Sequence, residues 1–341
     1  MNAMPLSPGL EEDPGRPAAL DAGTVPCRQR RTVAGGHDWH LDEYRSARCA
    51  EAVSADRRPS QRPLALLLHG TGASSDSWHG LAQRLAPHMD IVAPDLPAHA
   101  RTRTPVDAAL DIDAQALALE TLIGTLDREP DVLIGHSAGA VILAARAMRQ
   151  AQACGQAPTR AQGTAPADLD RPTRPAAHLI LLNGALLPLE GPAGWLFQPL
   201  ARVSSSIGWL PRLFALRAAR EPDHVRRLLR STGSSVDDAM VARYRSLLAD
   251  DVHVAGVLRM MAAWDLRLFA GRLDALRVPV HLLAGDADRT IPLRHAHRLR
   301  ARLAQASLQV LPGLGHLAHE EAPDIVASAV LDHLNRSRIR S

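Results

Sequence analysis

The stretch Val132-Leu133-Ile134-Gly135-His136-Ser137-Ala138-Gly139-Ala140 constrains this chain more than any other. It fits the pattern G-x-S-x-G, preceded by an apolar run and followed by an apolar segment over 138–149 with the length of a helix. A serine placed there sits on a sharp turn from strand to helix, and the chain can pass only if the residues two positions away are small. The helix opening at Ala138 aims backbone N–H groups at any oxyanion that forms beside Ser137. A glycine-rich turn without chemistry would need neither the strand before it nor the helix after it. The expectation is a nucleophile elbow with Ser137 at its tip.

The rest of the chain carries the rhythm such an elbow requires. Leu64-Ala65-Leu66-Leu67-Leu68 is apolar without alternation, the pattern of a parallel strand covered on both faces. Further strands are expected at 91–93, 132–134, 178–182, 278–284 and 308–311, with helices over 112–127, 138–149 and 322–334. Arg31 to Tyr44 reads as a hairpin turning at Gly35-Gly36. Strands alternating with helices give an α/β architecture, a mostly parallel, doubly wound sheet. Residues 185–273 hold only helical or irregular patterns, and seven of the ten aromatic residues fall there. They are expected to form a helical cap inserted after the sixth core strand. Residues 1–29 are rich in Pro, Gly and Ala and lack periodicity, as a disordered tail does. Residues 48–62 read as a loop and 153–176 as a low-complexity insertion. The expected domain plan is a tail at 1–29, a core in two parts at 30–184 and 274–341, and the cap at 185–273.

Composition excludes several function classes. Apolar residues make up 46% and charged residues 22%, which suits a globular chain. No apolar run approaches the roughly 18 residues needed to cross a bilayer. No apolar stretch follows a basic start, so no secretory signal is expected and the location is expected to be cytoplasmic. The net charge of +3 conceals a bias: all 39 basic residues are arginine and none is lysine. Aromatics are only 3%, so the stacking partners of a nucleic-acid surface are scarce and no nucleic-acid partner is expected. Cys27, Cys49 and Cys154 lack metal-ligand spacing, and an odd number argues against a disulfide framework.

A serine hydroxyl needs a base, and the base needs an orienting acid. Asp286 and Asp288 follow the strand at 278–284, and Gly313-Leu314-Gly315-His316 follows the strand at 308–311. Both loops lie beyond strand C-termini, the edge that also carries Ser137. Asp288 is the expected acid because it lies further into its loop, with Asp286 as the fallback; either could instead cap a helix or turn the chain. His316 is the expected base, since its glycine-flanked loop can reach Ser137. His319, followed by Glu320 and Glu321, reads as a support or surface residue. A metal pair at His316 and His319 lacks the H-E-x-x-H pattern and a third ligand, so no metal is expected. His69-Gly70-Thr71-Gly72 after the first buried strand would supply the other oxyanion donor, the Thr71 N–H, beside that of Ala138. This chemistry needs no cofactor.

These motifs resemble the α/β-hydrolase superfamily over about residues 31–335. A narrower resemblance lies in segments that triad chemistry does not require: His69 to Ala73 with Trp78, Gly135 to Ala140, Leu182-Asn183-Gly184-Ala185-Leu186-Leu187-Pro188, Ser231-Thr232-Gly233-Ser234, Met260 to Leu266 and Leu311 to Glu321. Together they are similar to the BchO family, magnesium-chelatase accessory proteins of bacteriochlorophyll biosynthesis. That resemblance implies a hydrolase-like fold with Ser137, Asp288 and His316 at the triad positions. It also implies a role in or near magnesium insertion into protoporphyrin IX in a phototrophic bacterium, with magnesium chelatase as a partner. Trp78, His136 and Trp264 are expected at the substrate. Asp95-Leu96-Pro97-Ala98-His99-Ala100 departs from such enzymes, which usually show Gly-His-Gly there. Alanine lacks the freedom of glycine at positive φ, so this loop is expected to be reshaped.

Between 201 and 230 the cap carries seven arginines against Glu221 and Asp223. Arginine binds carboxylates bidentately, so this segment could clamp the two propionates of a porphyrin intermediate as the small-molecule substrate. It could equally rest on an anionic membrane surface, at the periphery of a photosynthetic membrane. A solvated helix face in an arginine-biased chain accounts for it without either. A general esterase and a non-catalytic porphyrin carrier or chelatase-assembly partner remain the rival functions, because one fold hosts many activities.

Overall fold

The computed structural model describes residues 24–45, 62–155, 178–188 and 221–340, with the single positions Arg212 and Leu216. Residues 48–61 of the expected loop, 156–176 of the expected insertion and 189–211 of the expected cap lie outside the described residues. So do Trp195, Phe197, Trp209 and Phe214.

The described strands are β1 (Cys27–Ala34), β2 (His37–Tyr44), β3 (Leu64–Leu68), β4 (Asp90–Pro94), β5 (Val132–His136), β6 (His178–Leu182), β7 (Val280–Gly285) and β8 (Ala306–Leu311). They form one sheet in the order β1-β2-β4-β3-β5-β6-β7-β8. The pairs β1–β2 and β2–β4 are antiparallel, and every pair from β4–β3 to β7–β8 is parallel. The hairpin turns at Gly35 and Gly36, both at positive φ, as the sequence predicts. Its first strand begins at Cys27, so the tail ends earlier than residue 29: Arg28 to Val33 pair with Asp38 to Glu43 and leave no room for a disordered segment there.

The apolar run of β3 splits between two cores. Leu66 and Leu68 pack with α2 (Ile112–Gly124) and α3 (Ala138–Gly155), while Ala65 and Leu67 pack with α1 (His79–Leu85) and the C-terminal helix, Pro323–Arg340. A strand buried on both faces favours apolar residues at every position, which is why β3 shows no alternation. Helix α3 runs on to Gly155, three residues into the stretch read as an insertion.

Between β6 and β7 come α4 (Pro222–Ser231), α5 (Asp238–Ala249), α6 (Asp251–Ala263) and α7 (Leu266–Gly271). Asp237, Asp250 and Asp265 cap the last three, each accepting backbone N–H groups of the first turn. After β7 follow α8 (Leu293–Arg302), α9 (Ala318–Glu321) and α10 (Pro323–Arg340). A third, small cluster joins α4 and α5 to the core: Val225, Leu229, Met240, Val241 and Tyr244 close over Ala73 and Leu317.

Candidate active site

Ser137 lies between β5 and α3 with φ at +50°, a left-handed conformation that a residue with a side chain enters only when its surroundings impose it. The surroundings here are backbone. Its N–H donates to the Leu182 carbonyl at 3.1 Å, and its carbonyl accepts the Ala185 N–H at 3.2 Å. The glycines of the motif have steric reasons. A Cβ on Gly135 would stand 2.6 Å from the Ala140 nitrogen, and one on Gly139 2.3 Å from the Leu68 carbonyl oxygen. Helix α3 can therefore start against β3 and β5 only without those side chains.

Gly70 brings the loop after β3 against the serine. A Cβ there would lie 3.1 Å from the Cβ of Ser137 and 2.8 Å from Nδ1 of His136. Thr71, next in the chain, is exposed, and Ala138 is buried at the start of α3. His69 is fully buried and holds the loop: its Nε2 accepts the Leu96 N–H at 2.9 Å. Burial, with the charge His99 would carry nearby, pushes its imidazole down to about 4, so it acts as a neutral acceptor.

Asp288 and His316 meet across two loops. His316 Nδ1–H donates to Asp288 Oδ2 at 2.8 Å, and the other carboxylate oxygen accepts the N–H groups of Thr290 and Ile291 at 2.7 and 2.8 Å. Asp288 and His316 are both buried. Asp286 sits apart: it is exposed and accepts the Gly313 N–H at 2.6 Å, holding the turn before the histidine. The carbonyl of His316 accepts from His136 Nε2 at 2.9 Å and from the Asn183 side-chain amide at 2.9 Å. Asn183, at φ +46°, also accepts the Gly285 N–H at 2.9 Å on its side-chain oxygen. The Leu182-Asn183-Gly184 motif thus pins the backbone at Ser137 and the His316 loop together.

Beside His316 the aromatic rings pack at tilted angles of 40–54°. His136 lies 4.7 Å from His316 and 4.5 Å from His319 between ring centroids, and His319 lies 4.3 Å from Trp78. Burial first, then the neighbouring imidazoles, holds His136 well below the ordinary histidine range and His319 down to about 3. His319 is therefore a buried, neutral support and not a surface residue. Two expectations about substrate contact are corrected. Trp78 is fully buried beneath His319, and Trp264 is a core residue whose Nε1–H donates to the Leu110 carbonyl at 2.9 Å. Both are packing anchors, because their rings are enclosed by helices and loops of the core.

The Asp95–Ala100 loop is also corrected. Ala98 and Ala100 take φ of +61° and +42°, so the left-handed path is kept without glycine. Asp95 and Thr102 fix it: Asp95 accepts from the Ser75 and Arg101 N–H groups at 2.7 and 3.0 Å, and the Thr102 hydroxyl donates to the Asp95 carbonyl at 2.7 Å. Sequence reasoning missed His253, which reaches from α6 to accept the Ala100 N–H on Nδ1 at 2.9 Å. It also missed Glu320, whose buried side chain accepts from Arg243 and Tyr244 of α5. Neither carries a local pattern, since their partners lie far away in the chain.

Of the described arginines between 201 and 230, Arg226 is committed to Asp238, while Arg212, Arg227 and Arg230 are exposed. Among the described residues no group of three or more His, Cys, Asp or Glu is placed to hold a metal ion, and no helix is long and apolar enough to cross a membrane.

Residues 65–329 match the family model described as the alpha/beta hydrolase family. The magnesium-chelatase 30 kDa subunit of Rhodobacter capsulatus is 32% identical over 298 residues, covering 85% of this chain and 95% of that protein. A 2-hydroxy-6-oxononadienedioate/2-hydroxy-6-oxononatrienedioate hydrolase of Pseudomonas putida is 23% identical, covering 79% and 86%. The crystal structure of an alpha/beta hydrolase fold protein from Burkholderia ambifaria superposes with a TM-score of 0.64 at 22% identity, covering 89% of this chain and 97% of that one. With a parallel sheet, a serine elbow at its C-terminal edge and these relatives, the chain belongs to the alpha/beta hydrolase family and, within it, to the family of the magnesium-chelatase 30 kDa subunit.

Proposed function

We propose that this chain is a serine hydrolase of ester or acyl chemistry that acts on a porphyrin intermediate close to the magnesium-chelatase step of bacteriochlorophyll synthesis. The observation that carries it is the 2.8 Å hydrogen bond from His316 to Asp288, held at the sheet edge where Ser137 sits at φ +50°. Ser137 Oγ attacks the acyl carbon while Nε2 of His316 takes its proton. Asp288 keeps Nδ1 protonated and stabilises the imidazolium that forms. The N–H groups of Thr71 and Ala138 receive the oxyanion, a contribution of roughly 3 kcal/mol for each donor in comparable sites. His316 then returns the proton to the leaving group, and water repeats the sequence on the acyl-enzyme. No cofactor takes part.

The pigment role rests on the relative from Rhodobacter capsulatus, and it fits a protein at the cytoplasmic face of a photosynthetic membrane. The exposed Arg227 and Arg230 suit the propionates of a porphyrin. A chelatase-assembly partner without catalysis is the second reading, favoured by the word subunit in that relative's name. Complementation separates them. In a strain lacking the gene, Ser137→Ala at equal protein abundance leaves pigment synthesis defective if catalysis is the function. Normal pigment with Ser137→Ala overturns the hydrolase proposal and leaves the assembly role.

A further inference from the structure

The Ser231-Thr232-Gly233-Ser234 motif takes no part in the chemistry proposed above, yet it touches both loops that carry the acid and the base. The Thr232 carbonyl accepts the Arg289 N–H at 3.0 Å and the His316 N–H at 3.4 Å, one residue from Asp288 and at the histidine itself. The buried hydroxyl of Ser234 accepts the Leu317 N–H at 2.8 Å. The Glu321 carboxylate bridges the N–H groups of Gly315 and Ser235. The three backbones are in direct contact. A Cβ on Gly233 would stand 1.9 Å from the Ala287 carbonyl oxygen, and one on Gly315 2.4 Å from the Gly233 carbonyl carbon and the Ser234 nitrogen.

The same turn is fastened to the helices on either side of it. Leu317, next to the histidine, is buried among Val225 and Leu229 of α4 and Val241 and Tyr244 of α5. Glu320, whose side chain is fully buried, accepts from Arg243 and from the Tyr244 hydroxyl, both at 2.7 Å. A shift of α4 against α5 must therefore pull on the His316 backbone.

We infer that the 232–235 turn is a positioning clasp: through Thr232 and Ser234 it sets the relative placement of His316 and Asp288 and ties it to the α4–α5 pair. The inference rests on the hydrolase proposal for its catalytic consequence, but not for its geometry. Ser234 is the handle, because Ser234→Ala removes one acceptor without adding bulk, whereas Gly233→Ala would force backbones apart and risk the fold. With a fluorophosphonate as the probe, Ser234→Ala is expected to lower the maximal labelling rate of Ser137 roughly tenfold at unchanged half-saturating concentration. Its pH–rate profile is expected to move, and Ser234→Thr, which keeps the hydroxyl, is expected to restore both. The ring cross-peak of His316 in 1H–13C NMR spectra is expected to move in Ser234→Ala and not in Ser234→Thr. Wild-type labelling rate, pH profile and His316 cross-peak in Ser234→Ala would overturn the clasp. If wild type itself is not labelled, the hydrolase proposal fails, and the His316 cross-peak still decides the clasp.

Discussion

His316 and Asp288 are bound through one carboxylate oxygen at 2.8 Å, while the other oxygen of Asp288 is fixed by the backbone of Thr290 and Ile291. The carboxylate therefore cannot rotate away without breaking two further bonds. Asp288→Asn should keep the loop folded but present an amide where His316 needs an acceptor. Fluorophosphonate labelling of Ser137 should fall on the order of a thousandfold or more. Asp286→Asn, on the exposed aspartate, should label within about twofold of wild type. Equal losses in the two variants would contradict the assignment of the acid.

Gly139→Ala puts a methyl group 2.3 Å from the Leu68 carbonyl oxygen and 2.7 Å from that of His69. Both are backbone atoms of a central strand and its loop, so nothing nearby can yield cheaply. The unfolding free energy should drop by about 3 kcal/mol or more, read by urea denaturation, and labelling should vanish with it. Gly124→Ala, at the end of α2 with open space around it, should change stability by less than about 1 kcal/mol.

Ala100 occupies φ +42° because Asp95, Thr102 and His253 hold the loop in place. Ala100→Gly removes a left-handed penalty of roughly 1–2 kcal/mol but adds freedom to the unfolded chain. A net gain of up to about 1 kcal/mol is expected, measured as a rise in the urea midpoint at constant slope. A loss of stability would show that the methyl group itself packs.

The buried imidazoles dictate how stability follows pH. His69, His99, His253 and His319 are pushed down to about 4, 3, 4 and 3, in each case first by burial. In the unfolded chain they take up protons near 6.5. The unfolded state thus binds more protons between about pH 6.5 and pH 3–4, and stability is lost as pH falls through that window. Above about pH 7 these groups are neutral in both states and contribute no slope. His319→Phe should reduce proton uptake on unfolding at pH 5 by about one proton, found by comparing urea unfolding free energies across pH. An unchanged slope would mean that His319 is protonated in the folded protein.

Much of this site is legible in the sequence because its signals are local. The elbow announces itself by small residues around Ser137, and β3 by five apolar residues in a row, since a strand covered on both faces favours apolar side chains. The rims of these elements are less legible. Strand β1 begins at Cys27 because its pairing with β2 continues past the apolar pattern, which a polar edge strand does not show. The left-handed alanines of the 95–100 loop are set by Asp95 and by a histidine more than 150 residues away, and no local preference for glycine survives to mark them. Trp78 and Trp264 look like ligand platforms in one dimension, where an aromatic near a motif cannot be told from a core anchor. Only the packing of His319 and the Leu110 carbonyl against them decides it.

The claim at the centre of this account is that Ser137 is an activated nucleophile. Intact-mass measurement after treatment with a fluorophosphonate, on wild type and Ser137→Ala, tests it most directly. The account predicts one adduct per wild-type chain and none on the variant. A folded wild-type protein that gains no mass, or a variant that gains the same mass as wild type, would contradict it.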